Sequence, residues 1–215
     1  SYVLYALDQH QLSRAQFPLG ALQKTDVRAE AERLALSVAG KPDSQDLCFT
    51  PGGDYRAWLR EHAPESLVPG VFVDENGNEL GAHEGAAGFT FGQRRRLPAM
   101  GVPHYVKDVD PDSGQVTIAP RDRCEERSVQ TSGLNWVSQP APESGTSFDV
   151  AVQIRHAGGA VPAVLLTSGP RDALVTFTDP VFAPAPGQAL VAYQGERVLC
   201  GGTIERAPAP AERDA

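Results

Sequence analysis

The sequence predicts a mainly β protein with an N-terminal α segment, in which a small central β-barrel-like domain follows the helices and a C-terminal β-barrel closes the chain. Three observations predict it. The 215 residues hold 21 Gly and 18 Pro, enough turn-formers to divide the chain into short strands rather than a long helical bundle. Apolar residues at 41% and charged residues at 21% are ordinary for a globular protein and too apolar for a mostly disordered one. The first forty residues differ from the rest, with Leu, Ala, Arg and Glu dominating and few β-branched side chains, a composition that favours helix. At this length two compact units are expected.

Each element follows from local pattern. Thr25 is a candidate helix cap, Asp26 suits the positive end of the helix dipole, and Val27, Ala31, Leu34 and Val38 recur as one apolar face up to Gly40. A second helix is predicted from Asp54, as cap, to His62, stopping before Pro64. Between them lies a loop, Lys41 to Gly53, that contains Cys48. From Pro69 the pattern changes to strands at 70–73, 79–81, 89–91, 104–109 and 115–118, with Asn76-Gly77 as a two-residue hairpin turn and Asp110 to Gly114 as another. Further strands are expected from about Ser132, at 148–154, 163–166, 173–177, 189–193 and 197–204. In the first of these, Phe148, Val150, Val152 and Ile154 alternate with polar or small residues, the pattern of a half-buried strand.

Charge and cysteine count narrow the function. A net charge of −8 argues against a surface that binds polyanions everywhere, because nucleic-acid affinity comes mainly from Lys and Arg neutralising phosphates. A local basic patch is still allowed. All but three (Lys24, Lys41, Lys107) of the 19 basic residues are Arg, and the one dense run is Arg94-Arg95-Arg96. Cys48, Cys124 and Cys200 are an odd number with no C-x-x-C pair, so neither a disulfide framework nor a zinc site is supported and a cytoplasmic location fits. No apolar run reaches the roughly 20 residues needed to cross a bilayer.

Specific words go further than composition. Ser1-Tyr2-Val3-Leu4-Tyr5, Phe17-Pro18-Leu19-Gly20, Lys41 to Phe49, Gly81-Ala82-His83-Glu84-Gly85, Thr90-Phe91-Gly92-Gln93-Arg94, Leu134-Asn135-Trp136, Ile154-Arg155-His156, Pro186-Gly187-Gln188 and Gly201-Gly202-Thr203-Ile204 occur in this order. Together they resemble the tRNA-specific 2-thiouridylases over nearly the whole chain. The resemblance implies helical residues 1–64 as the end of a catalytic PP-loop domain, a central β domain at 65–130, an elongation-factor-like β-barrel at 131–207 and a mobile tail at 208–215. It also implies a longer protein, whose N-terminal domain binds ATP and carries a second catalytic cysteine. No glycine-rich phosphate loop occurs here, so ATP is expected on that other domain and no metal is expected in this chain.

The resemblance implies the site residues as well. Cys48 matches the persulfide-forming cysteine, a thiolate being a ready acceptor and carrier of transferable sulfur. The resemblance implies that ATP adenylates the C2 oxygen of a wobble uridine, that the Cys48 persulfide then delivers sulfur as AMP leaves, and that the second cysteine closes a disulfide with Cys48. Arg155, His156 and Gln188 match tRNA contacts, His156 standing where an aromatic residue is common in the family. The expected partners are tRNA and a persulfide donor or relay protein, with no membrane. The alternative reading is a non-catalytic tRNA- or RNA-binding β-barrel module in which Cys48 is structural, and a β-rich protein–protein module is the third.

Overall fold

A computed structural model describes residues 2–41, 55–156 and 158–205. The chain divides into a compact unit of Glu65 onward together with its first nine residues, and a second unit spanning His10–Pro64.

In the second unit, helix α2 covers Lys24–Arg33, after a short α1 at Gln9–Leu12 whose first residue belongs to the other unit. Its cap is Gln23, whose N–H donates to the Asp26 carboxylate. The helix ends earlier than the periodicity predicts. Ala35 adopts φ 52°, and the Leu36 N–H reaches back to the Ala31 carbonyl at 2.9 Å, a left-handed stop that leaves Val38 outside the helix and exposed. Helix α3 spans Tyr55–His62, with the His62 ring stacked on Trp58 at 4.6 Å. The predicted cap Asp54 and the loop around Cys48 lie outside the described residues.

The first unit holds a four-stranded sheet and a closed barrel. Strands β1 (Gly70–Val73), β2 (Glu79–His83), β3 (His104–Val109) and β4 (Val116–Pro120) pair in the order β2-β1-β4-β3, with β1 and β4 parallel. Their core is Phe72, Ala86, Val106, Val116 and Ile118. The β1–β2 turn is longer than the two residues predicted. The Asp74 carboxylate accepts the N–H groups of Asn76 and Asn78 at 2.8 and 2.9 Å, so only Gly77 takes positive φ (83°). Residues 89–91 form no strand: Phe89 follows a 3-10 turn at Ala86–Gly88, and its ring packs on Phe72 at 5.0 Å.

The barrel closes in the order β10-β5-β8-β7-β6-β9. Its strands are β5 (Glu125–Trp136), β6 (Ser147–Gln153), β7 (Val161–Thr167), β8 (Ala173–Phe182), β9 (Ala189–Gln194) and β10 (Arg197–Ile204). Alternate residues fill it: Val150 and Val152, Ala163 and Leu165, Val175 and Phe177, with Leu190 and Leu199. Among the described residues, no helix is long and apolar enough to cross a membrane.

Candidate nucleic-acid interface

The antiparallel pairing of β6 with β9 sets Gln153 opposite Val191, so the end of β6 and the start of β9 share one rim of the barrel. Arg155 and His156 lie just past that strand end, and Gln188 lies just before the facing one. The loop between them is held from beneath. The Tyr193 hydroxyl donates to Gln153 Oε1 at 3.1 Å, and Gln153 Nε2 donates to the carbonyls of Arg155 and His156, each at 3.0 Å. His156 is exposed, and the Tyr2 ring meets it edge-on at 6.0 Å. Tyr2 also donates its hydroxyl to the Ala189 carbonyl at 2.6 Å, and so ties His156 to the neighbour of Gln188. Burial, with the nearby Tyr5 and Tyr193 phenols adding to it, raises the Tyr2 pKa and keeps this donor protonated. Gln188 is exposed, its main chain fixed by the Ala185 carbonyl and the Ile204 N–H.

Arg155 is placed differently. Its Nη2 donates to the carbonyls of Phe182 and Ala183 at 3.1 and 2.6 Å, and the guanidinium lies 5.9 Å from the Phe182 ring centroid. Phe182 is where the barrel meets the four-stranded sheet. Tyr105 of β3 packs edge-on against it at 5.1 Å, and Arg121 lies over its face at 4.1 Å. Arg155 is therefore half-buried, with one end of its fork holding the seam.

Cys124 and Cys200 are buried and unpaired thiols. Burial is the first cause that pushes Cys124 up to about 11 and Cys200 up to about 12, so neither supplies a thiolate near neutral pH. Among the described residues no group of three or more His, Cys, Asp or Glu could hold a metal ion. Among the described residues no strand runs through a glycine-rich loop into a helix.

Three family models match successive parts of the chain. They describe a tRNA methyl transferase HUP domain at residues 1–52, a tRNA methyl transferase PRC-barrel domain at 56–120 and an aminomethyltransferase β-barrel domain at 126–204. Curated relatives match across those boundaries. The tRNA-specific 2-thiouridylase MnmA of Roseiflexus castenholzii is 42% identical over 207 residues, 96% of this chain and 55% of that protein. The enzyme of the same name from Rhodospirillum centenum is 41% identical over 225 residues, all of this chain and 57% of that protein. The chain belongs to the tRNA-specific 2-thiouridylase family. It spans somewhat more than half the length of the curated relatives it matches.

Several words that carry the family resemblance have structural work in this chain. Asn135 Nδ2 donates to the Tyr5 and Leu7 carbonyls at 2.6 and 3.1 Å, pinning the N-terminal 3-10 turn (Tyr2–Ala6) to β5. A Cβ on Gly201 would lie 2.5 Å from Tyr5 Cδ2, so β10 needs glycine there for that ring to dock. The rim supports Tyr2, Gln153 and Tyr193 escaped the sequence reading. Tyr2 and Tyr193 act on residues far away in the chain, and Gln153, which holds the two residues just after it, is itself held by Tyr193; the only signal in sequence was the presence of Tyr2 within the opening word of the resemblance.

Proposed function

We propose that this chain is part of an enzyme that thiolates the wobble uridine of tRNA at C2 in an ATP-dependent reaction, with Cys48 carrying the sulfur as a persulfide. The observation that carries the reading is 42% identity to a tRNA-specific 2-thiouridylase over 96% of the chain. Residues 1–64 then complete a catalytic domain whose preceding part binds ATP and supplies the second cysteine, which forms a disulfide with Cys48 after sulfur leaves. The chain by itself is inactive. His156 and Gln188 contact tRNA from the barrel rim, His156 by stacking and Gln188 by hydrogen bonding. Arg155 contributes its charge while its Nη2 holds the loop. The exposed, hydrogen-bonded rim supports this assignment. The reaction runs in the cytoplasm with a persulfide donor or relay protein.

Thiolation by the full-length protein, read by mass spectrometry of the tRNA nucleosides, tests the reading. Cys48→Ser is expected to abolish thiolation while tRNA affinity and thermal unfolding stay as in wild type. Wild-type thiolation by that variant would remove Cys48 from the mechanism. In the native chain, Cys48 should also react with a thiol probe ahead of Cys124 and Cys200, whose pKa values are pushed up to about 11 and about 12.

A further inference from the structure

The Arg94-Arg95-Arg96 run is the densest positive charge in a chain of net charge −8, and the loop carrying it is fastened at two places. The Gly92 N–H donates to the Val106 carbonyl at 2.8 Å, and the Val106 N–H donates to the Gln93 carbonyl at 2.9 Å, an extra rung along β3. Gln93 Nε2 then donates to the Arg95 carbonyl at 2.7 Å, and Arg96 turns the chain with φ 64°. On its other side the loop abuts the barrel. A Cβ on Gly92 would lie 3.0 Å from Phe182 Cε1, 3.2 Å from Ala183 Cβ and 3.5 Å from Arg155 Nη2.

Other cations of this sheet are neutralised. Lys107 and Arg123 both bind Glu75 at 2.6 and 3.1 Å, and Arg121 lies 3.8 Å from Glu125. The hydrogen bond from Lys107, ahead of that from Arg123, holds the Glu75 carboxyl below its ordinary range. Arg94, Arg95 and Arg96 are exposed, and among the described residues none of them has a carboxylate partner. Three adjacent unneutralised guanidiniums repel one another, and a polyanion relieves that repulsion while accepting their forked N–H donors. We propose that Arg94, Arg95 and Arg96 bind backbone phosphates of tRNA, extending the rim surface of Arg155, His156 and Gln188 across the seam onto the central sheet. This rests on the tRNA reading above.

The test measures binding of an unmodified tRNA transcript to the full chain across a salt series, for wild type, His156→Ala, the triple variant R94A/R95A/R96A and the charge-keeping R94K/R95K/R96K. The alanine triple is expected to weaken binding about tenfold and to flatten the dependence of log affinity on log salt by about 2, each lost phosphate contact removing about 0.7–0.9. The lysine triple should keep the wild-type slope, and thermal unfolding should be unchanged in both. If the alanine triple does not fold, R94Q/R95Q/R96Q is read in its place with the same expectation. Wild-type affinity and slope in the neutralised triple, alongside weakened binding by His156→Ala, would overturn the extension and leave the rim reading standing. Failure of the wild-type chain to bind tRNA at low salt would overturn both.

Discussion

The two ends of the barrel are closed by different means. At the end that carries Trp136, neighbouring strands are joined by tight turns: β7 to β8 around Gly169, where the Ser168 N–H donates to the Asp172 carbonyl at 2.9 Å, and β9 to β10 through Gly195 at φ 60°. Trp136 Nε1 donates to the Pro170 carbonyl at 3.0 Å, and beside it a shallow groove runs past Ser138, Pro140, Glu196 and Arg197. Its charges are mixed. The other end is closed by residues distant in sequence: Tyr2 on His156 and Ala189, Arg155 on Phe182 and Ala183, and Gly92, Tyr105 and Arg121 around the Phe182 ring. The Trp136 end is closed mainly by its own turns, with the N-terminal segment reaching it through Asn135 and Gln9, whereas the end with the candidate tRNA contacts is held by the neighbouring sheet and Tyr2. Changes at the seam should therefore be felt at the proposed RNA surface more than changes at the hairpin end.

A pair of glycine substitutions gives the largest contrast. Gly92 and Gly195 both sit at positive φ, but a Cβ at Gly195 meets nothing within 4 Å. Gly195→Ala is expected to cost only the left-handed backbone penalty, about 1 kcal/mol. Gly92→Ala adds overpacking against Phe182 and Ala183, for about 2–4 kcal/mol in total, and should weaken tRNA binding as well. Equal unfolding free energies in urea for the two variants would mean that the seam is not packed as described.

An arginine pair gives the next. Arg155→Met keeps the aliphatic stem but removes the donor to two carbonyls, one of them on Ala183, which is 4% exposed. The loss should be about 1–3 kcal/mol, whereas exposed Arg197→Met at the hairpin end stays within about 0.5 kcal/mol. Arg155→Lys should recover only part of the loss, because a single ammonium does not reproduce the planar fork. Full recovery by lysine would reduce Arg155 to a charge.

The smallest effect is on pH dependence. The His83 ring is packed between Phe72 and Phe89 at 4.9 and 5.1 Å, and neither ring nitrogen makes a well-formed hydrogen bond. Burial lowers its pKa below 6.5, with the backbone of Gly114 and Val71 offsetting this only in part. The unfolded chain thus takes up the proton first. The stability from a neutral His83 is complete above about pH 6.5 and is lost as pH falls from there through the lower folded value. His83→Phe should flatten that part of the stability curve, while Arg197→Met at the hairpin end leaves it as in wild type. An unchanged acid limb in the His83 variant would show that the imidazole does not titrate differently on folding.

Elements whose pattern is local can be read from the residues alone. The period-two run of Phe148, Val150, Val152 and Ile154 marks β6, and β10 occupies the predicted 197–204, because a strand with one face in a barrel must alternate whatever surrounds it. The ordered words that place the chain among the 2-thiouridylases were likewise legible, although what Asn135 and Gly201 do in the fold was not. Tertiary structure decided the rest. Residues 125–128 are exposed without alternation, yet β5 begins at Glu125 because β8 offers Phe182 and Val181 as partners. Phe89 to Phe91 has strand composition but forms no strand, Phe89 instead packing its ring on Phe72. In the candidate site, sequence named Arg155 as a cation at a strand end. Only the fold could show that its Nη2 bonds run to carbonyls 27 and 28 residues away, since hydrogen-bond partners at that separation are chosen by strand pairing and barrel closure, which no local pattern encodes.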